Sequence, residues 1–350
     1  MKLSILYICK IVIINEASVS GIMSGIKDIA AAAGVSVSTV SNVLNNKPNV
    51  GAVTRSQVLK LCQEMNYVSK AASGKYQSGR NRTILFNFSD FDRCFYLKVI
   101  EGINDYAGDN GYDLLTCTTR TCEKYLHNGL TDGCIILDSR MGNDIIRRAA
   151  RNGYPLVLLD RILPDSNIKS LVVNNYEVMT ELMEGLVKRG YRNFAFVGGP
   201  EYLGDTRERF QAYTDVLTTH GLSHLKENYF SGDYQEGNGY QALTILLLGG
   251  KLPEILVCAN DNMAAGVIRA LEERGYRVPE DVAVTGFDNS ERSEALGLTT
   301  VAVPNYERGY LAARTLIENI NGKNNFEPQR ISASVRWRKT VEDDHFSKII

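Results

Sequence analysis

Six polar or aromatic residues stand just beyond short apolar runs, where the strands of a parallel sheet would end. Asp160, Asn260 and Asp288 directly follow runs rich in Leu, Val and Ile, and three more positions lie near other run ends: Phe95, Arg209 and Tyr234. Ligands of open α/β sheets bind outside the carboxyl ends of the strands, so these side chains are expected to face one cleft. Carboxylate, amide and guanidinium groups bind hydroxyls, and aromatic rings cover C–H faces. The spacing therefore predicts a site for a sugar-like molecule.

Motifs for catalysis are missing from the sequence. The four histidines have no metal-binding spacing, and no nucleophile elbow, phosphate-binding loop or dinucleotide-binding glycine pattern occurs. The seven cysteines form neither a CxxC pair nor a cluster with histidine, which argues against a zinc site or a disulfide framework. The sequence thus predicts a protein that is not an enzyme and that needs no metal or cofactor.

The elements that would position the cleft alternate along the chain from residue 83. Short apolar runs predict strands at 83–88, 112–117, 132–137, 155–160, 170–174, 193–198, 254–259, 282–287 and 299–303. Amphipathic stretches predict helices at 96–108, 177–189, 206–219, 236–248, 262–274 and 306–320. Repeated strand–helix units favour parallel sheets covered on both faces, and there are too many for one sheet. We therefore expect an α/β core of two doubly wound parallel-sheet lobes.

A small all-α unit precedes this core. One apolar helix face begins at Ile26, and Gly34 ends that helix. Ser36 is expected to cap a second helix, and a capping box at 54–57 predicts a third helix that begins after Thr54. Two helices joined by a tight turn containing glycine form a helix-turn-helix, whose second helix can enter a DNA major groove.

The charge distribution fits a headpiece that binds a polyanion. The whole chain has a net charge of -1, whereas residues 24–82 carry eight basic and two acidic side chains. Lysine and arginine near phosphates release condensed counterions, which favours binding to DNA.

The helix-turn-helix resembles the DNA-reading headpiece of the lactose-repressor family of bacterial transcription regulators. Lys-Asp-Ile-Ala at 27–30, Ala-Gly-Val-Ser at 33–36, Thr-Val-Ser at 39–41 and Val-Leu-Asn at 43–45 carry the resemblance. It extends to about Val341 and implies two similar lobes hinged by crossing strands, as in periplasmic sugar-binding proteins. Ala-Asn-Asp at 259–261 and Gly-Phe-Asp at 286–288 match effector-contacting motifs of that family.

The resemblance also implies a set of DNA-contacting residues. Val37, Ser38 and Asn42 are expected to face the bases, and the amide of Asn42 suits adenine where relatives often carry an arginine. Tyr76 stands where the family has a leucine wedge for the minor groove. The other implied DNA contacts are Lys27, Ser36, Thr39, Ser41, Asn49, Thr54, Arg55 and Lys70.

These patterns divide the chain into five segments. We expect an N-terminal extension outside the fold (1–23), a helix-turn-helix domain (24–68), a hinge (69–82), a two-lobed effector-binding and dimerisation domain (83–341) and a tail (342–350). The extension is apolar but too short to span a bilayer, and we expect translation to start naturally at Met23. Residues 118–131 leave too little chain for the full crossover helix of the family, so the first lobe is expected to be trimmed there.

Together these features predict a cytoplasmic, sequence-specific transcriptional regulator. It would repress a carbohydrate-utilisation operon as a homodimer on near-palindromic operator DNA, and a small sugar-like effector would change its operator affinity by favouring one of two states. Two alternatives stay open: a periplasmic-type sugar-binding or transport protein with a vestigial headpiece, and a regulator that responds to a nucleoside or a phosphoprotein co-regulator. No membrane partner is expected.

Overall fold

The computed structural model describes residues 26–44, 47, 50–65, 81–91, 95–127, 130–223, 226–250, 252–323 and 328–345. The chain divides into two compact units, residues 1–79 and 80–350. Within the described ranges, no helix is long and apolar enough to cross a membrane. The predictions for the N-terminal extension and for Asn49, Lys70 and Tyr76 lie outside these ranges.

The described residues of the first unit form three helices, α1 (Ile26–Ala33), α2 (Val37–Leu44) and α3 (Ala52–Glu64). Each contributes fully buried side chains to one small core, including Ile29, Val40 and Val58. Gly34 adopts a φ of 64° at the corner between α1 and α2, a conformation that glycine reaches without strain. The packed three-helix unit that the apolar periodicity predicts is therefore present.

One boundary in this unit differs from the sequence expectation. Helix α3 begins at Ala52, so Thr54 lies inside the helix and does not cap it. The backbone N–H of Arg55 already donates to the carbonyl of Gly51 at 3.0 Å, which closes the first helical turn three residues earlier than the capping box predicts. The prediction of an N-cap at Thr54 was wrong.

The second unit alternates strands and helices. Its strands are β1 (Thr83–Phe88), β2 (Asp113–Thr118), β3 (Gly133–Leu137), β4 (Leu156–Leu158), β5 (Ile168–Val173), β6 (Phe194–Gly198), β7 (Tyr229–Ser231), β8 (Ile255–Cys258), β9 (Ala283–Asp288), β10 (Thr299–Ala302), β11 (Gln329–Ile331) and β12 (Ser334–Arg336). Its α-helices are α4 (Phe95–Asp109), α5 (Thr119–His127), α6 (Asn143–Arg151), α7 (Asn175–Lys188), α8 (Gly204–Thr219), α9 (Glu236–Leu248), α10 (Asp261–Glu272), α11 (Glu291–Leu296) and α12 (Asn305–Ile320).

The strands form two sheets, which confirms the prediction of two doubly wound lobes. Lobe 1 has the order β11-β5-β4-β3-β1-β2, and lobe 2 has the order β12-β10-β9-β8-β6-β7. All pairings are parallel except that of β12 with β10. In lobe 1, α4 and α12 cover one face of the sheet, and α5 and α6 cover the other.

The connection between β2 and β3 contains a helix of nine residues, α5. It packs on β1 and β2 through Cys122 and Leu126, both buried. The first lobe therefore keeps a short helical cover where the sequence predicts a trimmed connection. The three-residue strands β7, β11 and β12 were not predicted, because they lie outside the apolar runs of the sequence, unlike the equally short β4.

The described chain crosses between the lobes at three places, after β5, between β10 and α12, and between β11 and β12. The second crossing brings α12 back to lobe 1, where it packs against α4. Gly102 and Gly309 make this approach possible: a Cβ on Gly309 would lie 2.0 Å from the carbonyl oxygen of Val99. The first turn of α12 is thereby held at the edge of the space between the lobes.

Candidate functional site

A cavity of about 640 Å³ lies between the two lobes. Lobe 1 contributes Phe95 from α4 and Asp160 from the loop after β4. Lobe 2 contributes the other four residues that the sequence singled out: Arg209, Tyr234, Asn260 and Asp288. The structure thus brings all six side chains into the lining of one cleft, although they are spread over nearly two hundred positions of the chain.

Arg209 on α8 is 5% exposed and is fixed by lobe 2 itself. Its Nε donates to Oδ1 of Asn175 at 2.8 Å, and its Nη1 donates to the carbonyl oxygen of Ala259 at 2.5 Å. The guanidinium lies 3.5 Å from the centroid of the Phe287 ring, within the range of a cation–π contact. These contacts orient the planar fork before any ligand arrives, so Arg209 is preorganised to donate into the cleft.

Asn260 and Tyr234 hold each other in place at the ends of β8 and β7. Oδ1 of Asn260 accepts from the backbone N–H of Met263 at 3.0 Å and caps α10, while its Nδ2 donates to the carbonyl oxygen of Tyr234 at 2.9 Å. The hydroxyl of Tyr234 is hydrogen-bonded to that of Thr206 at 2.7 Å. The Asn260 amide is therefore engaged within the protein and shapes the cleft wall.

The glycine pair at 198–199 has a spatial role beside this tyrosine. A Cβ on Gly199 would lie 2.2 Å from Cζ of Tyr234, so only glycine leaves room for the ring. The packing of the Tyr234 ring is therefore the physical reason for the second glycine.

Asp160 is tied to the residue that follows it. Nε and Nη2 of Arg161 donate to its two carboxylate oxygens at 3.1 Å and 2.9 Å. Arg161 also donates to the carbonyl oxygen of Met141 at 2.9 Å, so the pair is anchored to lobe 1. Burial raises the pKa of Asp160 above its ordinary value, and the ion pair with Arg161 opposes that shift.

Aromatic residues cover the lobe 1 side of the cleft. The Phe95 ring lies 4.5 Å from that of Tyr96, centroid to centroid, and the Tyr96 hydroxyl is hydrogen-bonded to that of Ser89 at 2.9 Å. On the lobe 2 side, Asp288 ends β9 with a φ of 112°, in the left-handed region that residues with a side chain rarely adopt. Both features face a space in which a flat, hydroxylated ring can lie between an aromatic surface and a carboxylate.

The structure adds cleft residues that sequence reasoning missed. Arg308, in the first turn of α12, lines the cavity and is 5% exposed. Arg330 lines it as well and forms an ion pair with Glu208 at 3.0 Å. Neither arginine follows an apolar run of its own lobe, so no strand-end pattern indicates them.

The second candidate site is the outer surface of α2. Ser36 caps this helix as predicted: its Oγ accepts from the backbone N–H of Thr39 at 3.0 Å. Val37 is 41% exposed, Ser38 is exposed, and Ser41 and Asn42 are half-buried. The first turn of α2 therefore presents small, uncharged groups to solvent, which can approach base edges closely.

Arg55 on α3 has a structural contact that the sequence did not indicate. Its Nη1 donates to the carbonyl oxygen of Val43 at 3.3 Å, and its Nη2 donates to that of Lys47 at 2.5 Å. Both acceptors lie at or just beyond the C-terminal end of α2, where helix carbonyls lack partners and a positive charge is favourable. Arg55 thus holds α2 against α3.

Comparisons with known proteins find relatives for both units of the chain. Residues 25–70 match the family of bacterial regulatory proteins, lacI family, and residues 183–341 match the periplasmic binding protein-like domain. Catabolite control protein A of Priestia megaterium is 30% identical over 307 residues, which cover 85% of this chain and 92% of that protein.

Two solved structures have a fold similar to that of this chain. One is the cellobiose complex of the transcriptional regulator CelR, and the other is the lac repressor dimer bound to operator and the anti-inducer ONPF. Each is 26% identical, has a TM-score of 0.69 and covers 91% of this chain and 99% of its own. The packed helix-turn-helix, the two-lobed core and these relatives together show that the chain belongs to the lacI family of bacterial regulatory proteins and is a DNA-binding transcription regulator.

Proposed function

We propose that this regulator represses a carbohydrate-utilisation operon and that a small sugar-like effector, bound between the lobes, controls its operator affinity. The observation that carries this proposal is the cleft: preorganised polar groups from both lobes line a cavity of about 640 Å³. Pockets for small molecules span about 300–1,000 Å³ and combine apolar surface with a few fixed polar groups. Phe95, Asp160, Arg209, Tyr234, Asn260 and Asp288 are the proposed effector-binding residues, with Asn260 acting by positioning its neighbours.

A ligand that touches both lobes favours the lobe arrangement in which both sets of contacts form. The three interlobe crossings are short segments without regular structure, and such segments can absorb a change in lobe angle. A ligand shifts an equilibrium only by its difference in affinity for the two states, and the cleft supplies this difference because its polar groups are divided between the lobes.

For the DNA side, we propose that α2 lies in a major groove and that two copies of the chain bind one near-palindromic operator as a homodimer. Lys27, Ser36, Val37, Ser38, Thr39, Ser41, Asn42, Thr54 and Arg55 are the proposed DNA-binding residues among those described, with Arg55 acting by holding α2 in place. Two headpieces on one face of the duplex would read half-sites about 34–36 Å apart. The lac repressor structure described above, a dimer bound to operator, supports this arrangement.

The alternative of a binding protein with a vestigial headpiece has less support. A headpiece without function would not need a capped helix, a closed corner or a core of fully buried side chains, and all three are present in residues 26–65. We propose that the protein acts by binding and not by catalysis, and that it works in the cytoplasm, where its operator DNA is found.

Selection of bound sites from a random DNA library, followed by gel shifts with and without single sugars, tests the proposal. We expect a two-fold symmetric consensus and a footprint over both half-sites, and at least one sugar should change the affinity. A library that yields no consensus, or protection of one half-site alone, would contradict the operator model. A nucleoside as the sole effective ligand would replace the sugar with the second ligand class predicted from the sequence.

A further inference from the structure

Arg308 is a buried cation in the cleft wall. It is 5% exposed, and its Nη2 donates to the carbonyl oxygen of Leu159. Its Nε has no hydrogen-bond partner among the described residues, and no carboxylate of that part of the chain lies within 4.0 Å of its guanidinium. A buried charge without a counter-charge destabilises a folded protein. The lining of the cleft therefore has a positive group that lacks an anion.

Three of the carboxylates that line the cleft lie beside other arginines. Asp160 forms its ion pair with Arg161 at 2.9 Å, and Glu208 forms one with Arg330 at 3.0 Å. Asp205 accepts from Nδ2 of Asn175 at 3.0 Å and lies 4.0 Å from the guanidinium of Arg209. Of the two buried arginines in the described cleft lining, Arg209 has Asp205 at 4.0 Å and Arg308 has no carboxylate within that distance, so Arg308 is the buried cation that a ligand would neutralise.

The position of Arg308 in the fold makes a negative charge beside it still more favourable. It lies in the first turn of α12, a helix of 16 residues, where the backbone N–H groups and the helix dipole favour negative charge. Burial lowers the pKa of Arg308, and the more distant carboxylates Asp205, Asp160 and Asp288 offset part of that effect. An arginine stays charged in this setting, so the site remains positive and favours the binding of an anion.

We propose that the effector is an anionic sugar, a sugar acid or a sugar phosphate, whose carboxylate or phosphate binds Arg308 while its hydroxyls contact Arg209 and Asp288 across the cleft. This inference rests on the proposed function, because it names the class of ligand for the same cleft. The guanidinium fork of an arginine matches the geometry of both carboxylate and phosphate oxygens. A hydroxyl of a neutral sugar can accept from the Arg308 Nε but leaves the guanidinium without a counter-charge, whereas an anion supplies both.

Isothermal titration calorimetry and thermal shift with the full chain test the proposal. The probes are D-glucose and D-galactose as neutral sugars, their uronates and aldonates as sugar acids, their 6-phosphates, and inorganic phosphate. We expect at least one sugar acid or sugar phosphate to bind about tenfold more tightly, or more, than its neutral parent. Whether the sugar acids or the sugar phosphates bind distinguishes a carboxylate ligand from a phosphate ligand. Inorganic phosphate alone should stabilise the wild-type chain weakly.

Arg308→Leu should lower the affinity for the anionic ligand at least about tenfold, because one charge-assisted contact in a buried site is lost. Arg308→Lys keeps the charge without the fork and should retain part of the affinity. The matched control is Arg314→Leu on the same helix, since Arg314 is 54% exposed and is paired with Glu318 at 3.2 Å. Without ligand, Arg308→Leu should melt at the same temperature as the wild type or higher, because it removes an uncompensated buried charge.

Equal affinity for neutral and anionic sugars, or unchanged anion binding in both Arg308 variants, would overturn the inference. If Arg308→Leu fails to fold, the ratio of anionic to neutral affinity in Arg308→Lys decides the question. A neutral sugar that changes operator affinity would contradict the anionic effector and leave the proposed repressor function intact. Absence of any operator binding would instead contradict the proposed function, whatever the cleft binds.

Discussion

Replacing Arg55 by alanine tests how the second helix of the headpiece is held in place. The side chain bridges α3 to the C-terminal end of α2 through the carbonyl oxygens of Val43 and Lys47. Helix α2 has only eight residues, and so short a helix is not stable without tertiary contacts. Loss of the bridge should therefore loosen the helix that is proposed to read DNA.

The magnitude follows from the two hydrogen bonds. A bond from a charged donor contributes about 1.5–3 kcal/mol, and the longer bond, at 3.3 Å to Val43, contributes less. A positive charge beside helix C-terminal carbonyls adds about 0.3–1 kcal/mol. We expect Arg55→Ala to lower the free energy of opening the headpiece by about 2–4 kcal/mol, a large share of the stability of so small a unit.

Hydrogen exchange of the full chain, read by mass spectrometry over residues 26–65, measures this change. The amides of α2 and α3 should exchange about thirtyfold to a thousandfold faster, since every 1.4 kcal/mol is a factor of ten. Lys60→Ala is the matched control on the same helix: Lys60 is 76% exposed and lies 3.8 Å from Glu64. An exposed pair of this kind contributes about 0–1 kcal/mol, so exchange should barely change.

Operator binding distinguishes this role from the phosphate contact that the sequence predicts for Arg55. If Arg55 acts as a bridge, its loss should weaken binding to all DNA sequences, and the salt dependence of binding should stay constant. Loss of a phosphate contact would instead reduce the slope of log K against log salt by about 0.9. Unchanged exchange together with a shallower salt slope would refute the bridging role and support the phosphate contact.

Four further outcomes are expected. Asn42→Arg should shift base preference from A·T toward G·C at one operator position by about 1–3 kcal/mol, and identical site selection by both proteins would leave Asn42 without a reading role. Asp288→Ala should weaken the effector response in gel shifts while operator binding persists, because a ligand hydroxyl loses its acceptor; a wild-type response would remove Asp288 from the site. Gly199→Ala should displace the Tyr234 ring, whose Cζ would lie 2.2 Å from the new Cβ, and should abolish effector binding measured by calorimetry. Burial raises the pKa of Asp261 from 3.8 to about 6, so its stabilising effect is present below about pH 4 and is lost as the pH rises through 6. The difference in unfolding free energy between wild type and Asp261→Asn should fall by about 3 kcal/mol over that range, and a flat difference would contradict the shift.

Local patterns in the sequence determined most of the helices and strands, and they determined the sheet edge at which the cleft lies. The apolar face beginning at Ile26, the cap at Ser36 and the glycine corner specify the helix-turn-helix because each depends on residues a few positions apart. Polar residues at strand ends meet in one cleft because parallel strands deliver their carboxyl ends to the same edge of a sheet. This rule brings Asp160 and Asp288 to one cavity although they belong to different lobes.

The tertiary structure decided what each side chain does there. The Asn260 amide, expected to face a ligand, is engaged by Met263 and Tyr234, and Arg55 contacts carbonyls of α2. The start of α3 also moved to Ala52 because the Gly51 carbonyl accepts the first helical hydrogen bond. These outcomes depend on which donor meets which acceptor, and periodicity carries no such information.

Arg308 shows most clearly what the sequence by itself could not predict. In the sequence it is one arginine in the first turn of an amphipathic helix, a position that favours solvent exposure. Its burial follows from the close approach of α12 to α4 at Gly309, and its one described acceptor, the carbonyl oxygen of Leu159, is 149 residues away. The sequence alone could locate the cleft, because strand ends follow from local periodicity. Only the tertiary structure could show that a charge is buried in the cleft without a counter-charge, because that burial results from packing between distant segments.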